Sequence, residues 1–211
     1  MKKILFMGGT GGLGLALIKN LKDNYECISA GSKDCDVTDE SKVTKYINSV
    51  DFDALIYLSV KNIDGFIQRQ TNESIRQQLD VNVFGFLNVL RACTPKLREK
   101  GYGRVIYLSS ILSTKPMQGT GIYAASKSFC ESVIRTYSLE NTRYGITANS
   151  IQLGYYNAGI IKQVPEHILE NVINTIPQKR LGYPTEIANL IDAIIKTEYL
   201  NGTMITIAGG L

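Results

Sequence analysis

The amino-acid sequence predicts an α/β protein built on a doubly wound, mostly parallel sheet with helices on both faces. Short apolar runs alternate with amphipathic stretches of ten or more residues, and strands joined by such helices need crossover connections. A glycine-rich segment also follows the first apolar run directly and opens the first helical stretch. With 211 residues, 44% hydrophobic and 20% charged content, the chain can bury one core, so we expect a single domain over residues 1–211.

In the N-terminal half, apolar runs predict strands and periodic stretches predict helices. The predicted strands lie at residues 3–7, 25–30 and 54–59, and the predicted helices at 13–21, 39–50 and 73–100. Thr38 or Asp39 is the expected N-cap of the second helix, because both side chains accept hydrogen bonds from free backbone N–H groups. The third helix should break near Asp80 and kink at Pro95, and Gly101 should end it.

The same alternation continues through the C-terminal half. The predicted strands lie at residues 104–108, 146–151 and 203–207, and the predicted helices at 123–144, 165–175 and 185–196. Gly145 should end the longest of these helices, since glycine adopts the left-handed conformation of a C-cap readily.

Charge and hydropathy exclude several classes of partner. The 23 basic and 19 acidic residues give a net charge of +4, and like charges do not cluster as they do on a nucleic-acid-binding surface. The sequence holds no run of 18 apolar residues, so no membrane span is expected. Met1, Lys2 and Lys3 imitate the start of a signal peptide, but glycines from Gly8 onward replace the apolar region that such a peptide needs. We therefore expect a cytoplasmic protein.

The cysteines and the histidine predict neither disulfides nor a metal site. The chain has one histidine, and its cysteines form no C-x-x-C pair and no zinc-ligand spacing. We expect reduced, mostly buried thiols at all four positions, Cys27, Cys35, Cys93 and Cys130.

The glycine-rich segment predicts a dinucleotide site of the Rossmann type. Between the first strand and the first helix the chain reads Gly8-Gly9-Thr10-Gly11-Gly12-Leu13-Gly14. Glycines allow a tight turn and a close approach to a pyrophosphate, which the helix N-terminus then attracts. Three spacings fit: G-x-G-x-x-G, G-x-x-x-G-x-G and G-x-x-G-x-x-G. The expected phosphate contacts come from Gly8, Thr10, Gly11, Gly12, Leu13 and Gly14.

The end of the second strand bears on which dinucleotide binds. NAD sites of this type usually place an acid there to hold the adenosine ribose. Here residues 29–33 read Ser-Ala-Gly-Ser-Lys, with no acid. Ser32 and Lys33 could instead hold a 2′-phosphate, which favours NADP(H) over NAD(H). The alternative is that Lys33 is only a solvated residue of the turn.

Two pairs of tyrosine and lysine, each four residues apart, could carry acid–base chemistry. Tyr57 lies in a predicted strand, where four residues span about 13 Å, so the Tyr57 and Lys61 side chains would be too far apart to couple. Tyr123 and Lys127 open a predicted helix and share one face of it. The lysine charge should lower the pKa of the Tyr123 phenol, and Ser110, just past the fourth strand, should face the same cleft.

These features together resemble the short-chain dehydrogenase/reductase family, and the resemblance runs nearly end to end. Ser110 lies 13 residues before Tyr123, and Tyr123 and Lys127 form the family's Tyr-x-x-x-Lys. Other segments of the sequence also resemble motifs of the family. They are the glycine turn at 8–14, Asp36-Val37, Asn82, the stretch from Arg180 to Ala188, and the stretch from Gly202 to Gly210.

The resemblance implies a role for each matching residue. Tyr123 would be the general acid or base, Ser110 would hydrogen-bond the substrate oxygen, and Lys127 would bind the nicotinamide ribose. Asn82 would hold a proton-relay water. The expected cofactor contacts outside the glycine turn are Ser32, Lys33, Asp36, Val37, Ser59, Tyr123, Lys127 and Tyr156.

The sequence departs from the family pattern in two motifs and one segment. The family's Asn-Asn-Ala-Gly after the third strand is replaced by Tyr57-Leu58-Ser59-Val60, and its Pro-Gly after the fifth strand by Leu153-Gly154. The substrate lid, expected at about residues 155–180, is short for the family, which suggests an open pocket.

The resemblance implies an NADP(H)-dependent oxidoreductase that moves hydride between nicotinamide and the carbonyl or alcohol carbon of a small metabolite. A carbonyl reductase, an alcohol dehydrogenase or a 3-oxoacyl-thioester reductase would fit. A homodimer or homotetramer is expected, packed through the helices near Asn82 and Tyr123. The alternative is a non-catalytic NAD(P)-sensing protein on the same scaffold.

Overall fold

Six strands and seven α-helices make up the chain in a computed structural model that describes residues 1–159, 161 and 165–211. The strands are β1 (Lys3–Met7), β2 (Glu26–Ala30), β3 (Ala54–Tyr57), β4 (Gly103–Ser110), β5 (Ile146–Leu153) and β6 (Met204–Ile207). The helices are α1 (Gly12–Leu21), α2 (Glu40–Ser49), α3 (Asn72–Leu79), α4 (Gly85–Lys100), α5 (Gly121–Asn141), α6 (Glu166–Thr175) and α7 (Pro184–Lys196).

The strands form one parallel sheet in the order β2-β1-β3-β4-β5-β6. Leu5 of β1 stands between Ile28 of β2 and Leu55 of β3, and this register aligns the carboxyl ends of all three strands. The strand order reverses between β1 and β3, and in open α/β sheets that point is where a ligand crevice forms. The predicted doubly wound Rossmann fold is confirmed.

The hydrophobic core lies on both faces of the sheet. Successive side chains of a strand point to opposite faces, so Leu5 and Met7 of β1 join a cluster with α2, α4 and α5 residues. Ile4 and Phe6 join the second cluster, which α1 and α7 cover. Because both faces are covered, β4 and β5 are buried at every position, including the polar side chains of Asn149 and Gln152 in β5.

The helix breaks fall where the sequence predicts them. Asp39 caps α2 by accepting a hydrogen bond from the Lys42 amide at 3.0 Å. The helical stretch after residue 72 is interrupted by a π-helical turn at Asp80–Phe84, which leads straight into α4. Gly101 ends α4 in the left-handed conformation with φ 64°. The π-turn matters for the site, because π-turns displace backbone carbonyls from the regular helical ladder.

The cysteine side chains lie mostly inside the protein. All four cysteines are free thiols, three of them buried and Cys27 half-buried. Among the helices in the described part of the chain, none is both long enough and apolar enough to cross a membrane.

Candidate active site

Ser110 and Tyr123 face a common cleft at the carboxyl edge of the sheet. Ser110 is the last residue of β4, and a short 3₁₀ turn at Ile111–Ser113 begins the connection to α5, which carries Tyr123 in its first turn. Both residues line a cleft of about 470 Å³ together with the glycine turn, including Gly8 and Gly12. The fold therefore brings the predicted serine, tyrosine and phosphate-binding turn to one place.

Burial and the nearby Ser110 hydroxyl shift the pKa of Tyr123 in opposite directions. Burial raises the pKa of Tyr123 above its ordinary value, hydrogen bonding to the Ser110 hydroxyl opposes that rise, and the carboxylate of Asp64 adds to it. The sequence predicts a lowered pKa through Lys127, and the structure gives the opposite direction. The reason is that removal of the phenol from water outweighs the favourable contacts present in the protein alone.

Lys127 lies buried beneath Tyr123 on the same helix. Its ammonium donates to the Leu108 carbonyl at 2.9 Å and lies 5.6 Å from the centre of the Tyr123 ring and 4.7 Å from that of Tyr107. Burial lowers the pKa of Lys127 to about 8, while Cys130 and Glu131 oppose that fall. The spacing of four residues does place the two groups on one face, as predicted.

Asn82 sits in the π-turn and is tied to the loop after β3. Its side chain accepts from the Lys61 amide and donates to the Lys61 carbonyl, both at 2.8 Å, and donates to the Ser126 hydroxyl at 3.2 Å. The Asn82 carbonyl oxygen accepts from the Cys130 thiol at 3.2 Å. Asn82 is therefore joined both to α5 and to the loop after β3.

The other tyrosine–lysine pair has no place in the cleft. Tyr57 is fully buried, its ring packs against Phe86 and Tyr107, and its hydroxyl donates to the Val81 carbonyl at 2.8 Å. The exclusion made from strand geometry agrees with this position. Tyr57, which stands where the family has asparagine, supports the π-turn instead.

The close contacts of the glycine turn show which glycines the backbone requires. A Cβ on Gly8, whose φ is 92°, would lie 2.6 Å from the Ser59 amide nitrogen, and one on Gly14 would lie 2.5 Å from the Gly9 carbonyl oxygen. A Cβ on Gly11 would meet only the Gly8 oxygen at 3.6 Å, so this position faces open space in the cleft. Ser59 therefore supports the turn from behind, through its backbone.

This turn fits a pyrophosphate. The first N–H groups of α1 have no partner within the helix, and they point toward the cleft at its positive end. The space beside Gly11 lets a ligand approach the backbone closely. Gly12, Leu13 and Gly14 line the same cleft, whereas Thr10 is exposed at the tip of the turn and contacts Gly31.

The turn after β2 contains an acidic residue, Asp34, which directly follows the acid-free stretch at residues 29–33. Asp34 accepts a hydrogen bond from the Gly31 amide at 2.9 Å, so its carboxylate is used within the turn. Ser32 and Lys33 are both exposed beside it. The Asp36 carboxylate accepts from the Thr38 amide and hydroxyl at 3.0 and 2.8 Å, and Val37 is buried beneath.

Tyr156 and the lid segment form the far wall of the cleft. The Tyr156 hydroxyl donates to the Ile207 carbonyl at 2.8 Å, and the side chain is buried in the core, which raises its pKa. Its hydroxyl is therefore bonded to the backbone of β6. Residues 160 and 162–164 of the predicted lid lie outside the described residues, and α6 begins at Glu166.

The site also contains a buried carboxylate close to Ser110, that of Glu131, which no motif in the sequence indicates. Glu131 lies one helical turn after Lys127 and is only 3% exposed. An acid in the middle of a helix gives no signal of burial, because acids on helices are mostly solvated. The signal available in the sequence was its place on the face shared by Tyr123 and Lys127.

The known proteins that resemble this chain include several named as reductases. The family model described as "Enoyl-(Acyl carrier protein) reductase", of the adh_short_C2 group, matches residues 15–211. The chain is 24% identical over 228 aligned residues to the 3-oxoacyl-[acyl-carrier-protein] reductase MabA of Mycobacterium tuberculosis, covering 100% of this chain and 92% of that protein. It is 29% identical over 150 residues to the acetoacetyl-CoA reductase of Rhizobium meliloti, covering 70% and 62% of the two chains.

Solved structures share the fold at lower identity. A 3-oxoacyl-[acyl-carrier protein] reductase from Brucella melitensis superposes with a TM-score of 0.90 at 21% identity, covering 100% of this chain and 91% of that one. The structure described as "ElxO with NADP Bound" superposes with a TM-score of 0.90 at 18% identity, covering 100% and 98%.

Proposed function

Since the chain belongs to the short-chain dehydrogenase/reductase family, an enzyme family, we propose that it is an NADPH-dependent reductase of 3-oxoacyl thioesters or similarly apolar small carbonyl compounds. The observation that carries the proposal is the common cleft of Ser110, Tyr123 and the glycine turn. The reductases named among its relatives support the substrate class.

The residues present fit NADP(H). Gly11, Gly12 and the first turn of α1 would hold the pyrophosphate, with Gly8 and Gly14 shaping the turn. Ser32 and Lys33 are exposed at the surface and can bind a 2′-phosphate. The neighbouring Asp34 carboxylate does not occupy them, because it accepts its hydrogen bond from the Gly31 amide. When bound, the cofactor supplies the hydride.

The chain's own groups manage charge and the proton on the substrate oxygen. Ser110 donates a hydrogen bond to that oxygen, and Tyr123 delivers the proton from its hydroxyl as negative charge develops there. Lys127 stabilises the phenolate that remains, since its ammonium already lies below the ring. Asn82, held by Lys61 and Ser126, binds the water through which a proton returns to Tyr123 after it has given up its own.

The wall of the cleft favours an apolar substrate. Its side chains are predominantly aliphatic or aromatic: Leu58, Val60, Leu112, Leu153, Tyr155 and Ile161. Ligand pockets of this kind bind apolar groups through area and fix orientation with few polar groups. Ser110 and Tyr123 supply that orientation here.

The test is NADPH oxidation by the purified protein on short 3-oxoacyl thioesters, ketones, aldehydes and keto-sugars. We expect turnover on the thioesters and its loss by a factor of about 10³ in Tyr123→Phe, with NADPH still bound. Tyr199→Phe, at a fully exposed tyrosine, is the control and should behave as wild type. Turnover that survives in Tyr123→Phe would refute the assignment, and binding of NADPH without turnover would favour a sensor.

We also propose that the protein is a homodimer formed through α4 and α5. These helices line a groove of about 870 Å³ whose floor is apolar, with Leu87, Leu90, Phe129 and Val133. Phe129 is 47% exposed, which is a large apolar surface to leave in water.

A further inference from the structure

Glu131 is buried at a position where a side chain with only a packing role would be apolar. It is 3% exposed, and its carboxylate contacts Ser109 and Ser113, which come just before and just after Ser110 in the chain. A buried carboxylate is costly unless several donors satisfy it. Its partners therefore indicate what it does.

Three donors from three different elements converge on one oxygen of Glu131. Ser109 at the end of β4 donates to Oε1 at 2.5 Å, Ser113 in the following 3₁₀ turn at 2.7 Å, and Gln152 of β5 at 3.0 Å. Gln152 is itself fixed, because its Oε1 accepts from the Thr206 hydroxyl of β6 at 2.6 Å. The carboxylate is thus anchored to the rigid centre of the sheet.

Two of these donors flank Ser110 in the chain. Ser109 immediately precedes it, and the Ser113 hydroxyl lies 2.8 Å from the carbonyl oxygen of Ser110 as well as 2.7 Å from Glu131. One hydroxyl proton is shared between those two acceptors. The Ser110 backbone is therefore held on both sides by groups that Glu131 holds.

We propose that Glu131 is a positioning residue for the reaction, fixing the Ser110 hydroxyl through Ser109 and Ser113 so that it meets the substrate oxygen. This inference deepens the proposed function and rests on it. A donor aimed at developing charge is effective only if its position is fixed beforehand, and displacement by about 1 Å is costly. Lys127, one turn away on α5, gains from the same negative charge, which opposes the loss of its proton.

The first experiment compares Glu131→Gln with wild type. Glutamine keeps one oxygen that can accept from Ser109 and Ser113, so the protein should fold, but the hydrogen bonds weaken without the charge. We expect kcat on the thioester substrate to fall about tenfold, with KM for that substrate changed less than about threefold. Glu99→Gln, an exposed acid on α4, is the control and should match wild type.

A double-mutant cycle with Ser110→Ala separates positioning from general stability. If Glu131 acts through Ser110, Glu131→Gln should lower kcat by less than about twofold in the Ser110→Ala background. A full tenfold loss in both backgrounds would overturn the proposal. Glu131→Leu, which removes every hydrogen bond, should lower kcat by about 10², and glutamine should restore most of that loss. Equal kcat values for the two variants would also overturn it.

Amide hydrogen exchange gives a readout that needs no turnover. In Glu131→Gln, exchange should quicken at residues 110–115 while a peptide covering β1 and β2 stays as in wild type. Unchanged exchange at 110–115 would overturn the positioning role even if the enzyme is active. If wild type reduces none of the substrates, the proposed function fails, and the exchange result still decides whether Glu131 fixes Ser110.

Discussion

The Lys127 ammonium lies 5.6 Å from the centre of the Tyr123 ring, but its hydrogen bond goes to the Leu108 carbonyl at 2.9 Å. The lysine is therefore placed to stabilise a phenolate without being bonded to the phenol beforehand. Burial makes this position costly for a charge, and its pKa falls to about 8. Two predictions concern that pKa.

The first prediction is an alkaline limit to NADPH binding and turnover. As pH rises through about 8, Lys127 loses its proton and can no longer stabilise the Tyr123 phenolate or donate all its hydrogen bonds to ribose hydroxyls. We expect kcat/KM to fall about tenfold for each pH unit above that value. Rates measured from pH 6 to 10 check this, and a flat profile between pH 7 and 9.5 would contradict it.

The second prediction concerns stability. The pKa of Lys127 is lower in the folded protein, about 8, than its ordinary value of 10.5, so between those values the unfolded chain binds more protons. The free energy of unfolding of wild type should therefore rise, relative to Lys127→Met, as pH increases from 8 to 10.5. The linkage amounts to about 3 kcal/mol at most.

Urea unfolding at pH 7, 8.5 and 10 measures this difference. At pH 7 the methionine variant should be at least as stable as wild type, because it buries no charge. A difference between the two proteins that does not change with pH would show that Lys127 keeps its ordinary pKa in the folded state.

A third prediction concerns the choice of cofactor. Lys33 is exposed in the turn after β2, where Asp34 is bonded to Gly31. Lys33→Ala should weaken NADPH binding about tenfold and leave NADH binding unchanged, since only NADPH carries the 2′-phosphate. Fluorescence titration with both nucleotides checks this, with exposed Lys22→Ala as the control. Equal losses for both nucleotides would mean that Lys33 does not read the phosphate.

The glycine turn gives a fourth prediction through a matched pair. A methyl group on Gly11 meets no close atom but enters the cleft, whereas one on Gly14 would lie 2.5 Å from the Gly9 carbonyl oxygen. Gly11→Ala should leave the free energy of unfolding within about 0.5 kcal/mol and weaken NADPH binding at least tenfold. Gly14→Ala should destabilise the fold by about 1–3 kcal/mol. Urea unfolding and NADPH titration separate the two, and the reverse pattern would contradict the assignment.

Most of the sheet could be predicted because its strands obey one simple rule. Residues 4–7 and 105–108 are buried on both faces, so they appear as continuous apolar runs between helical stretches. The predicted break near Asp80 is also present, although its π-helical form needed the supporting hydroxyl of Tyr57, a long-range contact that local periodicity does not contain.

The site was predictable where chemistry depends on spacing and not where it depends on burial. Tyr123 and Lys127 share a helix face because four residues make about one turn. The pKa of Tyr123 was predicted in the wrong direction, because burial of the phenol raises the pKa and the spacing of Tyr123 and Lys127 gives no sign of that burial. Asp34 and Glu131 are polar residues used inside the protein, and a sequence gives no direct sign of that use.

The fifth prediction tests the proposed dimer through Phe129. This side chain is 47% exposed on α5 at the edge of the groove between α4 and α5, and a second copy seated there would remove it from water. In an isologous dimer each change is present twice, so Phe129→Glu places two charges in one apolar contact. We expect wild type to sediment as a dimer and Phe129→Glu as a monomer with unchanged circular dichroism. Leu139→Glu, at an 81% exposed apolar position on the same helix outside the groove, should remain dimeric. A monomeric wild type, or dissociation by both substitutions alike, would contradict an interface at this groove.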